Sequence, residues 1–533
     1  MDFGNRLALV FQQASETNKS IVPGIQKWNE EIETFLAAPP STVSEDTKEE
    51  SSEGTVSEVA IELHRGIVGA VLQPDATCTP RTPITKEDIN EVTKSATNKY
   101  REAPPSPLSD NLFELIRAAK NLLRWYIQIF LERKGISTVL PSPVASLQSP
   151  GILELLVCIL EQHALKEENL QQYLSRNISL YLFYATYIAV PGDEGTQKAL
   201  HHVMVELKFP QLALRILTRP CNAALALSLI RNLHNAIITL QGASKLILAI
   251  KVDWDVHSAP FSDPAPWAPS HQQSIDFQST CVNVLLWALS SDPPFPGKED
   301  DKRGELASEI LGALYATRAG QQLVPGVCDE KLMEMVVNIV KLPNEVQDKR
   351  LTQCKLSTVS LLMDSDRTFG EYLLQKNGFP DLLNLFEAQV SDILNKTRVD
   401  NSATAALVPI LVALNKYASA NPEIHTIIKS FVFPVDAEPV FQEKAQEQEK
   451  RELSSTAKQK KNMGPLDAPE GTFRRKLCTL LTWPEGHIKR CTGELLWTLS
   501  SSEPTEFVHR VGFGNALPLL SVKGFVKMPF PQS

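Results

Sequence analysis

Residues 111–130 read NLFELIRAAKNLLRWYIQIF. Leu112, Leu115, Ile116, Ala119, Leu123, Tyr126, Ile127 and Phe130 recur at spacings of three and four, which puts one unbroken apolar stripe along a helix. Asp110 or Asn111 stands where a cap is needed, and Gly135 is placed to stop the chain from continuing. The next segment opens with Ser149-Pro150, a capping residue and then the proline that a first helical position tolerates. Its stripe runs Leu153, Leu156, Val157, Leu160.

The same pattern continues outward. Asn222–Leu240, Gln278–Leu289, Glu305–Ala316, Leu332–Val340, Leu351–Met363, Ala405–Ser419 and Lys489–Leu499 all read as helices, and strand-like alternation is nearly absent. Many short helices with short connections predict an all-α chain, an armadillo/HEAT-like helical repeat superhelix with disordered insertions. Gly378-Phe379-Pro380-Asp381-Leu382-Leu383 and Gly514-Asn515-Ala516-Leu517-Pro518-Leu519-Leu520 share a glycine, a proline and a leucine pair. In such a repeat the glycine ends one helix and the proline sets the first turn of the next, although ordinary helix punctuation gives the same pattern. The expected organisation is a helical segment over 1–37, an acidic disordered linker over 38–58 and a helix with Pro-rich loops over 59–110. Repeats follow over 111–434, then a charged insertion over 435–470 and C-terminal repeats over 471–533. A short helix is expected near Lys86–Tyr100, and a Pro-rich loop over Ser258–Ser270, with Trp254 and Trp267 at or near its edges.

The chain has 533 residues, is 43% hydrophobic and carries a net charge of −9. Part of that charge is local: between Ser41 and Glu58, six carboxylates face Lys48 alone. No broad basic field exists to neutralise a phosphate backbone, which argues against a nucleic-acid partner. The eight cysteines, Cys78, Cys158, Cys221, Cys281, Cys328, Cys354, Cys478 and Cys491, include no CxxC pair, and several fall in apolar helical stretches. They read as free thiols in a reducing compartment. The N-terminal residues have no signal-peptide pattern. The longest uncharged stretch, Asn177–Gly192, is too short to span a bilayer and reads as a buried helix.

Motifs for covalent chemistry do not assemble. His201-His202 followed by Glu206 lacks the His-Glu-x-x-His order that places two imidazoles and a glutamate on one zinc-binding face. Gly512-Phe513-Gly514 starts like a dinucleotide loop, but Leu517 occupies the third glycine position and no strand precedes it. No phosphate-binding loop and no nucleophile elbow is present. The expectation is therefore no enzyme, no cofactor and no metal. Polar residues inside apolar helices are better candidates for binding. Arg231, Asn232 and Asn235 fall in one such helix, and Asn415 and Lys416 in another. Amides on an inner helix face offer a peptide backbone both a donor and an acceptor; the same amides can equally bridge neighbouring repeats.

The C-terminal region carries a resemblance. Asp467-Ala468-Pro469-Glu470-Gly471-Thr472-Phe473-Arg474-Arg475-Lys476-Leu477 is followed by Lys489-Arg490-Cys491-Thr492-Gly493-Glu494-Leu495-Leu496-Trp497, and then by Val511-Gly512-Phe513-Gly514-Asn515-Ala516. The basic pair, the Glu-Leu-Leu helix and the Gly-aromatic-Gly-Asn-Ala turn resemble, in order and spacing, the synembryn (resistance to inhibitors of cholinesterase) family. The block Pro409–Pro434 is also similar.

The resemblance implies an armadillo/HEAT-like superhelix that binds the α subunit of heterotrimeric G proteins, GDP-bound or nucleotide-free, in a concave groove. It implies non-receptor nucleotide exchange and chaperoning of newly made Gα, by a cytoplasmic monomer that is not inserted in the membrane but is compatible with recruitment to its periphery. Lys489 and Arg490 join Arg231, Asn232, Asn235, Asn415 and Lys416 as candidate partner-binding residues. Animal members run on into a long, acidic, phosphorylatable tail, whereas this sequence stops at Ser533. That departure weighs against full exchange activity more than against binding. The acidic serines here, Ser44, Ser51, Ser52 and Ser57, are N-terminal and read as an inert linker. The competing reading is an armadillo-type adaptor that grips another peptide or complex without exchange.

Overall fold

The computed structural model describes residues 7–10, 12, 22–37, 53–72, 89–102, 110–127, 144–164, 169–187, 193–218, 221–253, 274–289, 302–318, 327–342, 349–364, 367–395, 401–434 and 472–526. These residues are helical apart from turns and one short strand pair, and they fall into two compact units, Met1–Thr317 and Arg318–Ser533.

In the first unit the helices are α1 (Val22–Ala37), α2 (Glu53–Leu72), α3 (Ile89–Glu102), α4 (Asp110–Trp125), α5 (Pro150–His163) and α6 (Asn169–Thr186). They continue as α7 (Glu194–His201), α8 (Phe209–Leu217), α9 (Ala223–Thr239), α10 (Ala243–Ala249), α11 (Phe277–Leu289) and α12 (Arg303–Arg318). One row carries the architecture: α1 packs on α4, α4 on α6 and α6 on α9. A flanking layer forms as α2 packs on α4, α3 on α5 and α5 on α6. Helices that pack on helices two or three further along the chain are the signature of a stacked repeat, and the all-α armadillo/HEAT-like fold follows from that stacking. The row is held by the stripe that the sequence shows: Leu112, Leu115, Ile116, Ala119 and Leu123 of α4 are buried, as are Ile178, Tyr181 and Leu182 of α6. The part of the uncharged stretch from Asn177 to Thr186 lies in that buried helix, residues 188–192 lie outside the described residues, and no described helix is long and apolar enough to cross a membrane.

The second unit has α13 (Val327–Lys341), α14 (Lys349–Asp364), α15 (Arg367–Gln375), α16 (Phe379–Asn395), α17 (Asn401–Ala420) and α18 (Pro422–Val432). After residues outside the description come α19 (Phe473–Leu480), α20 (Gly486–Leu499), α21 (Pro504–Val511) and α22 (Phe513–Val522). Here α14, α17 and α20 form the row, with α13, α16 and α19 beside it.

Several local expectations change. Helix α2 begins at Glu53, so the acidic linker does not extend to residue 58. Val56, Val59, Ala60 and Leu63 bury at spacings of three and four and carry the helix back into the acidic stretch. Ser149 precedes Pro150 as expected, but its hydroxyl donates to Ser146 O at 3.0 Å and does not cap α5. Before α16 the left-handed residue is Asn377 (φ 53°), and Gly378 N donates to Leu373 O at 2.8 Å. Pro380 does lie in the first turn of α16, but in the second copy of the pattern Gly512 (φ 83°) makes the turn and Pro518 falls inside α22. A small antiparallel pair, β1 (Lys251–Asp253) with β2 (Ser274–Asp276), pairs Val252 with Ile275. The described thiols whose burial is defined form no disulfide among the described residues, and all but Cys491 are buried. Gly135, residues 38–52, the Ser258–Ser270 loop and the insertion over 435–470 lie outside the described residues.

Candidate functional site

Along the row of the first unit, polar groups replace apolar ones at a few levels. Between α1, α4 and α6, Glu33 takes Arg117 on both oxygens (3.1 and 2.6 Å) and Lys120 at 3.1 Å, and Lys120 also donates to Asn177 Oδ1 at 3.0 Å. Asn29 receives a hydrogen bond from Asn121 at 2.9 Å and donates to the Glu114 carboxylate at 2.8 Å. Burial opposes ionisation of Glu33, but its bonds to Arg117 and Lys120 and their charges prevail, and the carboxyl sits at about 2. Burial pulls Lys120 down to about 8 against the attraction of Glu33.

Further along the row, the structure separates the three residues singled out on α9. Asn232 is fully buried; its amide nitrogen donates to Ser179 O (2.8 Å) on α6 and to Ser228 O (2.9 Å). Asn235 is buried and donates to Thr186 O at 3.3 Å, at the end of α6. Both brace α6 against α9, which is the second of the two readings that the sequence left open for these amides, the bridging of neighbouring repeats. An apolar context around an amide is the same whether the amide lines a groove or stitches two helices, and burial decides between the two.

Arg231 points the other way. It is half-exposed and reaches Glu305 (3.4 Å) and Glu309 (3.5 Å) on α12. His234 Nδ1 meets Glu309 Oε1 at 2.5 Å, and the ring lies where a Cβ on Gly312 would sit 2.9 Å from it, so α12 needs glycine there. Burial raises the Glu309 carboxyl, but His234 and Arg231 take it below the ordinary carboxylate range.

Sequence reading missed Tyr184 on α6. Burial pushes its phenol up, while the positive charges of Arg124, Arg231 and Arg176 act against that rise. Three helices thus supply Arg124, Arg176 and Arg231, whose charges all act on one half-buried tyrosine, and its ring lies 5.3 Å from Phe183, which in turn lies 5.5 Å from Tyr187. No local motif encodes this surface, because each helix supplies one arginine.

In the second unit, Asn415 Oδ1 accepts from Thr498 at 2.6 Å, tying α17 to α20. Lys416 donates to Leu362 O (3.1 Å) and Met363 O (2.7 Å), capping the C-terminal carbonyls of α14. Both hold the row together at the C-terminal ends of these helices. Arg490 is exposed and Lys489 half-buried near the start of α20. Lys489 lies nine residues before Thr498, about 13 Å along the helix, so the basic pair is not joined to Asn415 and Lys416.

His201 and His202 converge on Glu206 (3.6 and 2.6 Å) across a π-turn that extends α7. Among the described residues no group of three or more His, Cys, Asp or Glu side chains gathers to hold a metal.

Residues 329–529 match the profile of the family described as guanine nucleotide exchange factor synembryn. This stretch is similar to the synembryn family. It lies wholly within the second unit and contains α14, α17 and α20 and the Gly-Phe-Gly-Asn-Ala turn. No curated protein matches the sequence. Among solved structures, the chain is similar to an engineered protein, with TM-score 0.40 and 14% identity over 92% of this chain and 94% of that one. It is also similar to a chain from work on a phosphorylation switch controlling the interaction between cadherin and beta-catenin, with TM-score 0.38 and 12% identity over 90% and 94%.

Proposed function

We propose that the chain is a non-receptor guanine nucleotide exchange factor and folding chaperone for heterotrimeric G-protein α subunits. The observation that carries this reading is the synembryn match over residues 329–529. Stacked helices suit the task, because exchange requires no covalent step. A protein that binds nucleotide-free Gα more tightly than GDP-bound Gα must weaken GDP by the same factor. A coupling of about 1–3 kcal/mol corresponds to roughly 5- to 150-fold, and incoming GTP then expels the factor by the same linkage. The preference for an open, incompletely ordered partner also supports chaperoning, since it covers surface that would otherwise aggregate.

The reading places a helical segment of Gα against exposed helix faces, a helix-in-groove contact. Arg231, with Arg124, Arg176 and Tyr184, is the candidate surface of the first unit, and Lys489 with Arg490 that of the second. Asn232, Asn235, Asn415 and Lys416 support these faces from behind. The reading puts the protein in the cytoplasm, with recruitment to the membrane periphery through its partner, and treats it as a monomer.

The test is the affinity of the full chain for labelled Gα in two states. Nucleotide-free Gα is expected to bind at least about tenfold tighter than Gα·GDP. Arg231→Ala is expected to weaken binding with helicity unchanged. Equal affinity for the two states would leave an adaptor and remove exchange.

A further inference from the structure

The accessible sides of α4, α6 and α9 meet as one face. On α6, Tyr173, Arg176, Leu180, Phe183, Tyr184 and Tyr187 are half-buried or exposed. At 3.6 residues per turn these positions share an arc of about 100°. Phe113 of α4 stacks on Tyr173 at 5.2 Å, and the charges of Arg124 on α4 and Arg231 on α9 act on Tyr184. Arg231, His234 and Ile238 form the matching stripe of α9, at i, i+3 and i+7. Helices α6 and α9 have no carboxylate, and those of α4 are Asp110 in its first turn and the buried Glu114. Acids reach the face from its edges: Glu33 of α1 takes Arg117, and Glu305 and Glu309 of α12 take Arg231. Charge complementarity makes a partner segment lying on this face anionic.

Arg231 is held loosely by the acids that reach it. Glu305 Oε1 lies 2.6 Å from Lys302 Nζ, whereas its Oε2 lies 3.4 Å from Arg231. Glu309 Oε1 lies 2.5 Å from His234 Nδ1, whereas its Oε2 lies 3.5 Å from Arg231. Each carboxylate thus has a nearer partner than Arg231. Burial opposes ionisation of Glu309, but its contacts with His234 and Arg231 outweigh burial and keep it charged. Histidine is the side chain whose charge changes between about pH 5 and 8. With His234 neutral, Lys302 and Arg231 balance Glu305 and Glu309, and Arg231 answers the Glu309 charge. With His234 protonated, the same group of side chains carries one net positive charge, and His234 answers Glu309 at the shorter distance. The other helices packed on α9 leave this balance in place. Helix α6 presents Arg176 and Tyr184, α8 brings Arg215, bonded to Glu161 at 3.2 Å, and α10 brings Lys245, which is exposed.

We propose that His234 is a proton-operated latch on Arg231: protonation commits Glu309 to His234 and releases Arg231 to a carboxylate of the partner, so the chain grips its partner more tightly as pH falls from about 8 to about 6. By linkage, the bound partner raises the affinity of His234 for its proton. His234 is a positioning residue here, since it acts through Glu309. The proposal rests on the exchange reading, which puts the partner on this face, and adds the regulation of that contact.

The affinity of the full chain for nucleotide-free Gα, measured at about pH 8 and about pH 6, tests the latch. On acidification the unsubstituted chain is expected to gain at least about fivefold more affinity than His234→Gln, which stays neutral at both values. Titration of Gα itself is common to both chains and cancels. Arg231→Ala is expected to lose the same gain. Glu309→Gln, nearly equal in shape, releases Arg231 without a proton and is expected to bind about fivefold tighter at the higher pH. It keeps His234 against Gly312, so it reads the latch even if His234→Gln fails to fold. Equal pH responses of the unsubstituted chain and a folded His234→Gln, or a Glu309→Gln chain that binds no tighter at the higher pH, would overturn the latch and leave the exchange reading standing. Absence of Gα binding at both pH values would overturn the two together.

Discussion

In the first unit, neighbouring helices are tied by amides and buried charges: Glu33 to Arg117 and Lys120, Asn121 to Asn29, Asn232 to Ser179. In the second they are tied by rings and by cations set on carbonyls. Phe386 and Phe431 pack edge-on against Phe473 at 5.1 and 5.2 Å, Arg474 and Arg510 both lie over the Phe433 ring, and Lys416 closes the end of α14. The two solutions fail differently. A buried ion network depends on every member, because removing one leaves its partner charged and dry. A ring cluster loses contact area in proportion to what is removed.

The largest expected effect breaks the first unit alone. Glu33→Ala leaves Lys120 buried without its counter-ion, at a cost of about 3–5 kcal/mol. Hydrogen exchange should accelerate in α1, α4 and α6 while α14, α17 and α20 keep their protection. Equal loss in both units would show that they do not unfold independently.

Acid sharpens the same contrast. His64 on α2 bonds Thr93 Oγ1 at 3.0 Å, and burial lowers its ring to about 4. Because the folded value lies below the unfolded one near 6.5, the contribution of the neutral ring is complete above that value. It is lost as pH falls through about 4, and amounts to about 3 kcal/mol. His64→Gln should flatten the stability–pH curve between those limits, as read from denaturant midpoints; an unchanged slope would remove His64 as its source.

A paired substitution on α9 separates brace from surface. Asn232→Ala frees the Ser179 carbonyl and should cost about 1–3 kcal/mol. Arg231→Ala should change stability by less than about 1 kcal/mol, since its ion pairs are partly exposed. If the two variants destabilise equally, Arg231 belongs to the scaffold.

The smallest effect lies at the end of α20, where Ser501 and Ser502 both adopt φ 56°. Left-handed backbone is costly for a residue with a Cβ, so Ser502→Gly should stabilise the chain by up to about 1 kcal/mol in Tm-based measurements. A loss of stability would mean that the serine side chain makes a contact worth more than the strain.

The helical array was legible because its stripes are regular: Leu112 to Leu123 names the buried side of α4 without further help. Asn222 and Asn421 take the cap positions that their residue type favours, with Asn222 Oδ1 accepting from Leu225 N at 2.8 Å. The start of α2 was hidden by its acidic composition. The candidate site was less legible. Asn232 and Arg231 are neighbours in sequence, yet one faces α6 and the other α12, and a single-helix reading does not separate a brace from a surface. The cluster around Tyr184 draws on α4, α6 and α9 together, so it exists only after those helices stack. The resemblance covered only the later part of the second unit, residues 409–434 and 467–516, and gave no guide to the first.

The most direct test of the central claim is the release of labelled GDP from purified Gα, followed in time with and without the full chain. The account predicts release that speeds up with added chain and returns toward the basal rate when Arg231→Ala replaces it. A release rate indifferent to the chain, at concentrations where the two proteins bind, would contradict it.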